Sequence, residues 1–208
     1  SEMLTSKASR WEATLISSGY IPISNQLSSK VSVFRHPFSL SEHYAIEIGT
    51  LDYTQPILTR IHSACFTGDL LHSLKCDCGD QLAESIAQIK QAGKGVILYL
   101  NQEGRGIGLA NKMRAYKLQD SGLDTFDANH QLGFEDDERD LSVGAKILMK
   151  LGVRKINLLT NNPSKIYNME NHGIKVVRRI PLVTKITAEN KEYLKAKKEK
   201  SGHILFQN

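Results

Sequence analysis

From residue 79 onward the chain alternates two hydrophobic patterns, and that alternation limits the possible folds more than any other feature. Leu82, Ile86 and Ile89 recur at helical spacing, whereas Val96-Ile-Leu-Tyr-Leu100 and Ile156-Asn-Leu-Leu-Thr160 are short, nearly unbroken apolar runs. Such runs fit strands buried on both faces, the pattern of a parallel sheet. Strand and helix in alternation predict a layered α/β domain. Ahead of this region, Val31 to Arg35, Tyr44 to Ile48 and Pro56 to His62 show the two-residue period of strands and predict an antiparallel or mixed part of the sheet. Residues 8–18 read as a short helix ending at Gly19, and the Ser-rich stretch to Lys30 as a linker. The Lys-rich segment from Glu192 to Lys200 reads as a solvated helix rather than a nucleic-acid arm.

A chain of 208 residues with 40% hydrophobic content is expected to form one globular domain, alone or with a small appendage. No apolar run approaches the roughly 20 residues needed to cross a bilayer. The N-terminus carries no apolar signal segment, so the expected location is the cytoplasm. A net charge of +5 favours an anionic partner, either nucleic acid or a phosphorylated small molecule. Charge alone does not choose between them.

The chain has three cysteines, Cys65, Cys76 and Cys78. Structural zinc sites use four protein ligands, whereas catalytic sites keep three and leave one position open. Three cysteines without a fourth fit the open kind, with His62 or His72 as residues that would close the shell and make it structural. Gly79 allows the turn that brings Cys76 and Cys78 round one ion. Thiolates are soft ligands and favour zinc over harder ions. The competing reading, three buried thiols packed as small hydrophobes, fits poorly with Lys75, Asp77 and Asp80 beside them.

The strand Val96 to Leu100 runs into Glu103-Gly-Arg-Gly-Ile-Gly108 and then into a helical stretch, Leu109 to Leu118. Glycines there let backbone N–H groups meet an anion, the helix N-terminus adds its dipole, and Arg105 adds a formal charge. The spacing is neither a Walker loop nor a Rossmann fingerprint, so alone it is a weak signal. Thr160-Asn-Asn-Pro-Ser-Lys165 offers a second anion site or a plain helix start, with Asn162 as cap and Pro163 as first helical residue. Between them, residues 128–140 collect acidic side chains around Arg139, with His130 nearby, in a solvated loop or a site, and Asp140 is placed to cap the helix through Ile147 to Leu151.

Taken in order, Arg60-Ile-His-Ser, Cys65-x10-Cys76-Asp-Cys78-Gly, Gln102-Glu-Gly-Arg-Gly-Ile-Gly-Leu109, Ala128-Asn-His-Gln-Leu-Gly-Phe134, Asp137-Glu-Arg-Asp140 and Leu159-Thr-Asn-Asn-Pro-Ser-Lys165 resemble GTP cyclohydrolase II. The likeness runs from about Glu42 to Gly202-His203. It implies a three-layer α/β/α fold with a mixed sheet, a catalytic domain over 41–208, and an N-terminal extension over 1–40 whose role it leaves open. It also implies the first committed step of riboflavin synthesis, conversion of GTP to a diamino-ribosylamino-pyrimidinone phosphate with loss of formate and pyrophosphate.

The resemblance further implies a catalytic zinc on Cys65, Cys76 and Cys78, with magnesium on the triphosphate. Tyr116 is implied beside the purine, Asp137 as proton acceptor, and Arg139 as the group that attacks the α-phosphate. Arginine's high pKa suits it better to stabilising a phosphoryl transition state as a planar fork. Three thiolates make a metal-bound water less acidic than three imidazoles would, so Tyr116 is expected to help. Substrate contacts carry over to Arg60, Ile61, His62, Ser63, Gln81, Glu103, Gly104, Arg105, Thr125, Thr160 and Lys165, with Glu103 as acceptor for guanine N1–H and the 2-amino group. A homodimer is implied, with no nucleic-acid or membrane partner.

Two positions depart from the family pattern: Ala64 where a glutamate is usual, and Asn101 where an arginine is usual. Neither is an implied ligand or catalytic residue, so retained activity is expected. Two rival readings are a family variant that keeps formate on the product, and a zinc-stabilised nucleic-acid module. The latter leaves Glu103, Asp137 and Glu138 unexplained, because carboxylates repel a phosphate backbone.

Overall fold

The computed structural model describes residues 11–23, 27–123, 125–135, 137–183 and 194–195. Seven strands form one mixed sheet: β1 (Thr14–Pro22), β2 (Ser28–Arg35), β3 (Glu42–Ile48), β4 (Ile57–Ser63), β5 (Gly95–Leu100), β6 (Lys155–Leu159) and β7 (Lys175–Ile180), in the order β1-β2-β3-β5-β4-β6-β7. The β1, β2, β3 and β5 pairings are antiparallel, and those joining β5, β4, β6 and β7 are parallel. The helices are α1 (Phe66–Asp69), α2 (Cys78–Ala92), α3 (Gly108–Asp120), α4 (Thr125–Gln131), α5 (Ser142–Lys150) and α6 (Pro163–Asn171), with a 3₁₀ turn over Glu103–Gly106.

Both faces of the central strands are covered, which is why their sequences lack alternation. Val96, Leu98 and Leu100 of β5 pack with Ile156 and Leu158 of β6 beneath Val143, Ile147 and Leu148 of α5 and Met169 of α6. On the opposite face Ile97 and Leu159 meet Ile89, Leu82 and Ile86 of α2. The result is an α/β/α three-layer domain with a mixed sheet: the alternating patterns predict a layered α/β domain, and the family resemblance implies the three layers.

The N-terminal expectation is corrected. Residues 14–22 are a strand, not the end of a helix over 8–18, and the described part of the expected linker carries β1 and the start of β2. Trp11 and Ala13 are buried just ahead of the strand, while every residue of β1 itself is exposed. Pairing with β2 from Thr14↔Arg35 to Pro22↔Ser28 satisfies the backbone instead, and Ser29 Oγ donates to the Ile21 carbonyl at 3.0 Å. The Lys-rich segment from Glu192 to Lys200 lies outside the described residues except for 194 and 195.

Parallel β4, β5 and β6 place their C-terminal ends side by side. The chain leaves β4 for β5 on one side and leaves β5 for β6 on the other, so a crevice opens above these ends, the usual ligand position of open α/β sheets.

Candidate active site

A cavity of about 300 Å³ occupies that crevice. Its walls come from the segments after β4 (Ser63 to Cys65), after β5 (Gln102 to Ile107) and after β6 (Thr160 to Lys165), together with α3 and the 137–139 segment. Motifs separated by a hundred residues therefore face one space.

The three sulfurs lie within 4.8 Å of one another, with Cys65 Sγ and Cys76 Sγ 3.8 Å apart. A tetrahedral zinc at ~2.3 Å from each ligand spaces its sulfurs by about 3.8 Å, so the cluster fits that ion. Among the described residues no histidine or carboxylate joins the group. His62 instead turns Nε2 to Asp69 Oδ1 at 2.9 Å, and burial holds its pKa below the ordinary value. The neutral ring donates from Nε2 and leaves Nδ1 to face Arg60 Nη2 at 3.3 Å.

Gly79 acts differently from the turn expected of it. Cys78 opens α2, and the helix start itself brings Cys78 round to Cys76. A Cβ on Gly79 would stand 2.2 Å from the Gly68 carbonyl oxygen, and one on Gly68 would stand 2.9–3.1 Å from Cys78 Cβ, Cys76 Sγ and Cys65 Sγ. Both glycines permit the close approach of α1 and α2 that packs the sulfurs together.

Lys112, on α3, reaches this cluster. Its Nζ donates to Cys65 Sγ at 3.1 Å, Thr67 Oγ1 at 3.0 Å and Glu103 Oε1 at 2.9 Å. Burial alone would lower the lysine's pKa, but the Glu103 bond and the Tyr116 and Cys65 charges outweigh it and raise it. Hydrogen bonds with Cys76 and Cys78, reinforced by Lys112, hold the Cys65 pKa below that of an ordinary thiol against the opposing effect of burial.

Glu103 joins the metal loop to the Gly-rich loop. Oε1 accepts from Lys112 and the Gly104 N–H, and Oε2 accepts from the Phe66 N–H at 2.5 Å. Of the roughly four acceptor positions on a carboxylate, three are taken.

In the same loop Gly104 and Arg105 are left-handed at φ 62° and 60°. Gly106 lies against the backbone of Glu138, whose N–H donates to the Arg105 carbonyl at 2.9 Å. This seats the 137–139 segment on the loop. Arg139 Nε donates to Asp137 Oδ1 at 2.7 Å, its Nη2 to Oδ2, and its Nη1 to Ser63 Oγ at 3.3 Å. Burial alone would raise the Asp137 pKa, but this fork lowers it, so the carboxylate stays ionised.

The sequence matches the GTP cyclohydrolase II family over residues 19–181. The chain belongs to this family. A GTP cyclohydrolase-2 of Histophilus somni (strain 2336) is 53% identical over 84% of this chain and 81% of its own. One of Actinobacillus succinogenes is 52% identical over 86% of this chain and 82% of its own. The riboflavin biosynthesis protein RibBA of Endomicrobium trichonymphae is 49% identical over 85% of this chain, which spans only 44% of that longer protein. A solved two-domain 3,4-dihydroxy-2-butanone 4-phosphate synthase from A. baumannii aligns at a TM-score of 0.45 and 18% identity over 86% of this chain and 43% of its own, below what establishes a common fold.

Most residues singled out from sequence lie along this one cavity. Cys65, Cys76, Cys78, Arg60, His62, Ser63, Gln81, Glu103, Gly104, Arg105, Tyr116, Asp137, Arg139, Thr160 and Lys165 all line the cavity. Ile61 does not; it is 1% exposed in the core, and only its carbonyl takes part, accepting from Lys165 Nζ at 2.7 Å. Thr125 lies at the start of α4, and its side chain is outside the described set. Arg60 is buried, which lowers its pKa to about 10, and donates to the Leu159 carbonyl and Gln81 Oε1. Asn162 caps α6 by accepting from the Ser164 N–H at 2.9 Å, whereas the cap position of α5 is Leu141 rather than the expected Asp140, whose Oδ1 accepts the Ser142 N–H from one residue further back.

Sequence reasoning missed Lys112 and Gln119. With Ala115 and Tyr116 they form an i, i+3, i+4, i+7 stripe of α3 on the cavity wall. That spacing was legible, but the stripe is mixed polar and apolar, so a search for an apolar face passes over it.

Proposed function

We propose that this chain carries out the GTP cyclohydrolase II reaction, hydrolysing GTP to 2,5-diamino-6-(5-phosphoribosylamino)pyrimidin-4(3H)-one, formate and pyrophosphate. The observation that carries the proposal is that the three-cysteine cluster and the Asp137–Arg139 pair line one cavity. Hydrolytic ring opening and pyrophosphate departure need different chemistry, and the two groups supply it within reach of one nucleotide. Cys65, Cys76 and Cys78 would hold the zinc, which supplies Lewis-acid activation of water for attack on the imidazole carbon of guanine. Tyr116 stands on the cysteine side of the cavity as a proton-relay group. On the other side Arg139 presents a planar fork suited to charge developing on the α-phosphate, and Asp137 orients it and accepts a proton.

Arg105, Thr160 and Lys165 would meet the triphosphate with magnesium. Glu103 has one acceptor position left, enough for a single guanine N–H and not for both N1–H and the 2-amino group, so other polar wall residues such as Gln119 or Asn129 share recognition of the base. Every wall residue falls within 41–208, which we take as the catalytic part. A homodimer and a reducing, cytoplasmic setting belong to the same proposal. Edge strand β1, with Leu15, Ile16, Tyr20 and Ile21 exposed, supports self-association.

The test is incubation of the zinc-loaded protein with GTP and magnesium, measuring formate and pyrophosphate together. Equal release is the expected result. Pyrophosphate without formate would identify the variant that stops at the formamidopyrimidine, and release of neither would overturn the proposal. Salt-sensitive binding to DNA or RNA without GTP turnover would favour the nucleic-acid module.

A further inference from the structure

We propose that Lys112 is a positioning residue of the metal centre: its ammonium, hydrogen-bonded to Cys65 Sγ, draws charge from that thiolate and keeps a tri-thiolate ion a strong Lewis acid. Neither its helix position nor any motif assigns the lysine a role. The inference rests on the zinc reading of the cysteines.

Three features of the geometry carry it. First, the ammonium is saturated. Its three N–H donors meet Cys65 Sγ at 3.1 Å, Thr67 Oγ1 at 3.0 Å and Glu103 Oε1 at 2.9 Å, so rotation about its last bond has no better arrangement to find. Second, it is sheltered. The lysine and glutamate side chains are each 12% exposed, where salt screens a charge far less than at an open surface. Third, the other nearby ammonium, Lys75, is half exposed and donates to Asp120 Oδ1 at 2.9 Å. Position 64, beside the first ligand, is Ala64 and carries no charge, and among the described residues no histidine joins the cluster.

The chemistry follows from ligand charge. Three thiolates carry three negative charges against the two positive charges of the ion, which weakens its pull on a bound oxygen relative to neutral imidazole ligands. An N–H donor on a ligating sulfur takes back part of that electron density, the tuning expected of partners just outside the ligand set. Glu103 and Thr67 fix the ammonium in place, and the Phe66 N–H holds Glu103, so the segment that carries Cys65 also positions the group that tunes it. Lys112 and Tyr116 are one helical turn apart on α3, with Nζ 5.8 Å from the ring centroid. One helix face thus supplies both the group acting on the ligand and the group facing the purine.

The experiment uses the full chain loaded with Co²⁺ in place of zinc, comparing wild type, Lys112→Met, Lys112→Arg and Thr67→Val. Losing a hydrogen bond raises the sulfur lone pair and lowers the energy of sulfur-to-cobalt charge transfer. In Lys112→Met that band is expected at longer wavelength with one cobalt still bound per chain, and kcat for GTP falls roughly 10- to 100-fold with KM within about threefold. Lys112→Arg recovers part of both. Thr67→Val removes one acceptor of the ammonium and also the 3.7 Å contact of Thr67 Oγ1 with Cys65 Sγ, so it is expected to shift the band the same way by less. Lys112→Arg, which leaves Thr67 in place and is expected to show a partial shift, decides the matter if Lys112→Met does not fold. An unmoved band in a cobalt-loaded variant would overturn the inference while leaving the zinc reading standing. A wild-type protein that binds no cobalt would overturn the zinc reading and this inference with it.

Discussion

The Asp69 carboxylate meets His62 Nε2 at 2.9 Å, and through the same group it fixes the first metal-ligand candidate. Its Oδ2 also accepts from the Cys65 N–H at 3.0 Å and from the Tyr99 hydroxyl at 2.9 Å, while the His62 and Tyr99 rings stack at 5.5 Å. One partly buried side chain at the end of α1 thereby ties β4, β5 and the metal loop together.

Asp69→Asn keeps the shape but turns an amide NH₂ toward groups that are themselves donors. Leaving a buried donor unmet costs about 1–3 kcal/mol, so a lower urea midpoint is expected. Zinc affinity, read by competition with a chromophoric chelator, should fall roughly 10- to 100-fold because Cys65 loses its backbone anchor. Unchanged affinity would show that the loop holds its shape without Asp69.

Gly68→Ala should weaken the metal site without touching a ligand. The new methyl group would lie 3.0 Å from Cys76 Sγ and 3.1 Å from Cys65 Sγ, which forces the sulfurs apart. Chelator competition should give at least a tenfold loss of zinc affinity, an order of magnitude in keeping with other changes just outside a ligand set. Equal affinity would mean that α1 shifts freely.

Arg139→Lys and Tyr116→Phe should fail in different products. Arg139 borders Ser63 and Asp137, whereas the Tyr116 ring lies beside Lys112 near the cysteines. Loss of the planar fork is expected to slow pyrophosphate release by about 10²–10³-fold, the effect of removing one preorganised donor. Tyr116→Phe should depress formate more than pyrophosphate. Parallel losses of both products in both variants would argue that the two steps share one set of groups.

Stability should decline on mild acidification because of His43. It is 3% exposed, its Nδ1 accepts the Asn101 N–H at 3.1 Å, and burial, helped by His36 and opposed by Asp140, lowers its pKa from 6.5 to about 4. Below pH 6.5 the unfolded chain takes up a proton that the folded chain refuses, so stability falls with pH until the folded group titrates near 4. Between pH 7 and 5 the loss from this group is on the order of 1–2 kcal/mol. Urea titrations at the two pH values should show it, and His43→Asn, which keeps an acceptor at that position, should flatten the difference.

Sequence alone determined the elements whose burial is local. The runs at Val96–Leu100 and Ile156–Thr160 and the Leu82, Ile86, Ile89 spacing record which faces are covered, so α2, β5 and β6 follow from periodicity, whereas α4 and β7 did not show in the sequence pattern. The cysteines and the ordered motifs likewise carried the family, because residue identity and spacing are written in the chain itself. Tertiary structure decided the rest. Thr14–Pro22 is a strand because β2 offers its backbone partners, a fact no local pattern holds when all nine residues are exposed. The contact of Lys112 with Cys65 spans 47 positions, and the filling of Glu103's acceptors depends on α1, α3 and the Gly-rich loop arriving together. Such contacts are set by sheet order and helix packing over long chain separations, which hydrophobic periodicity does not encode.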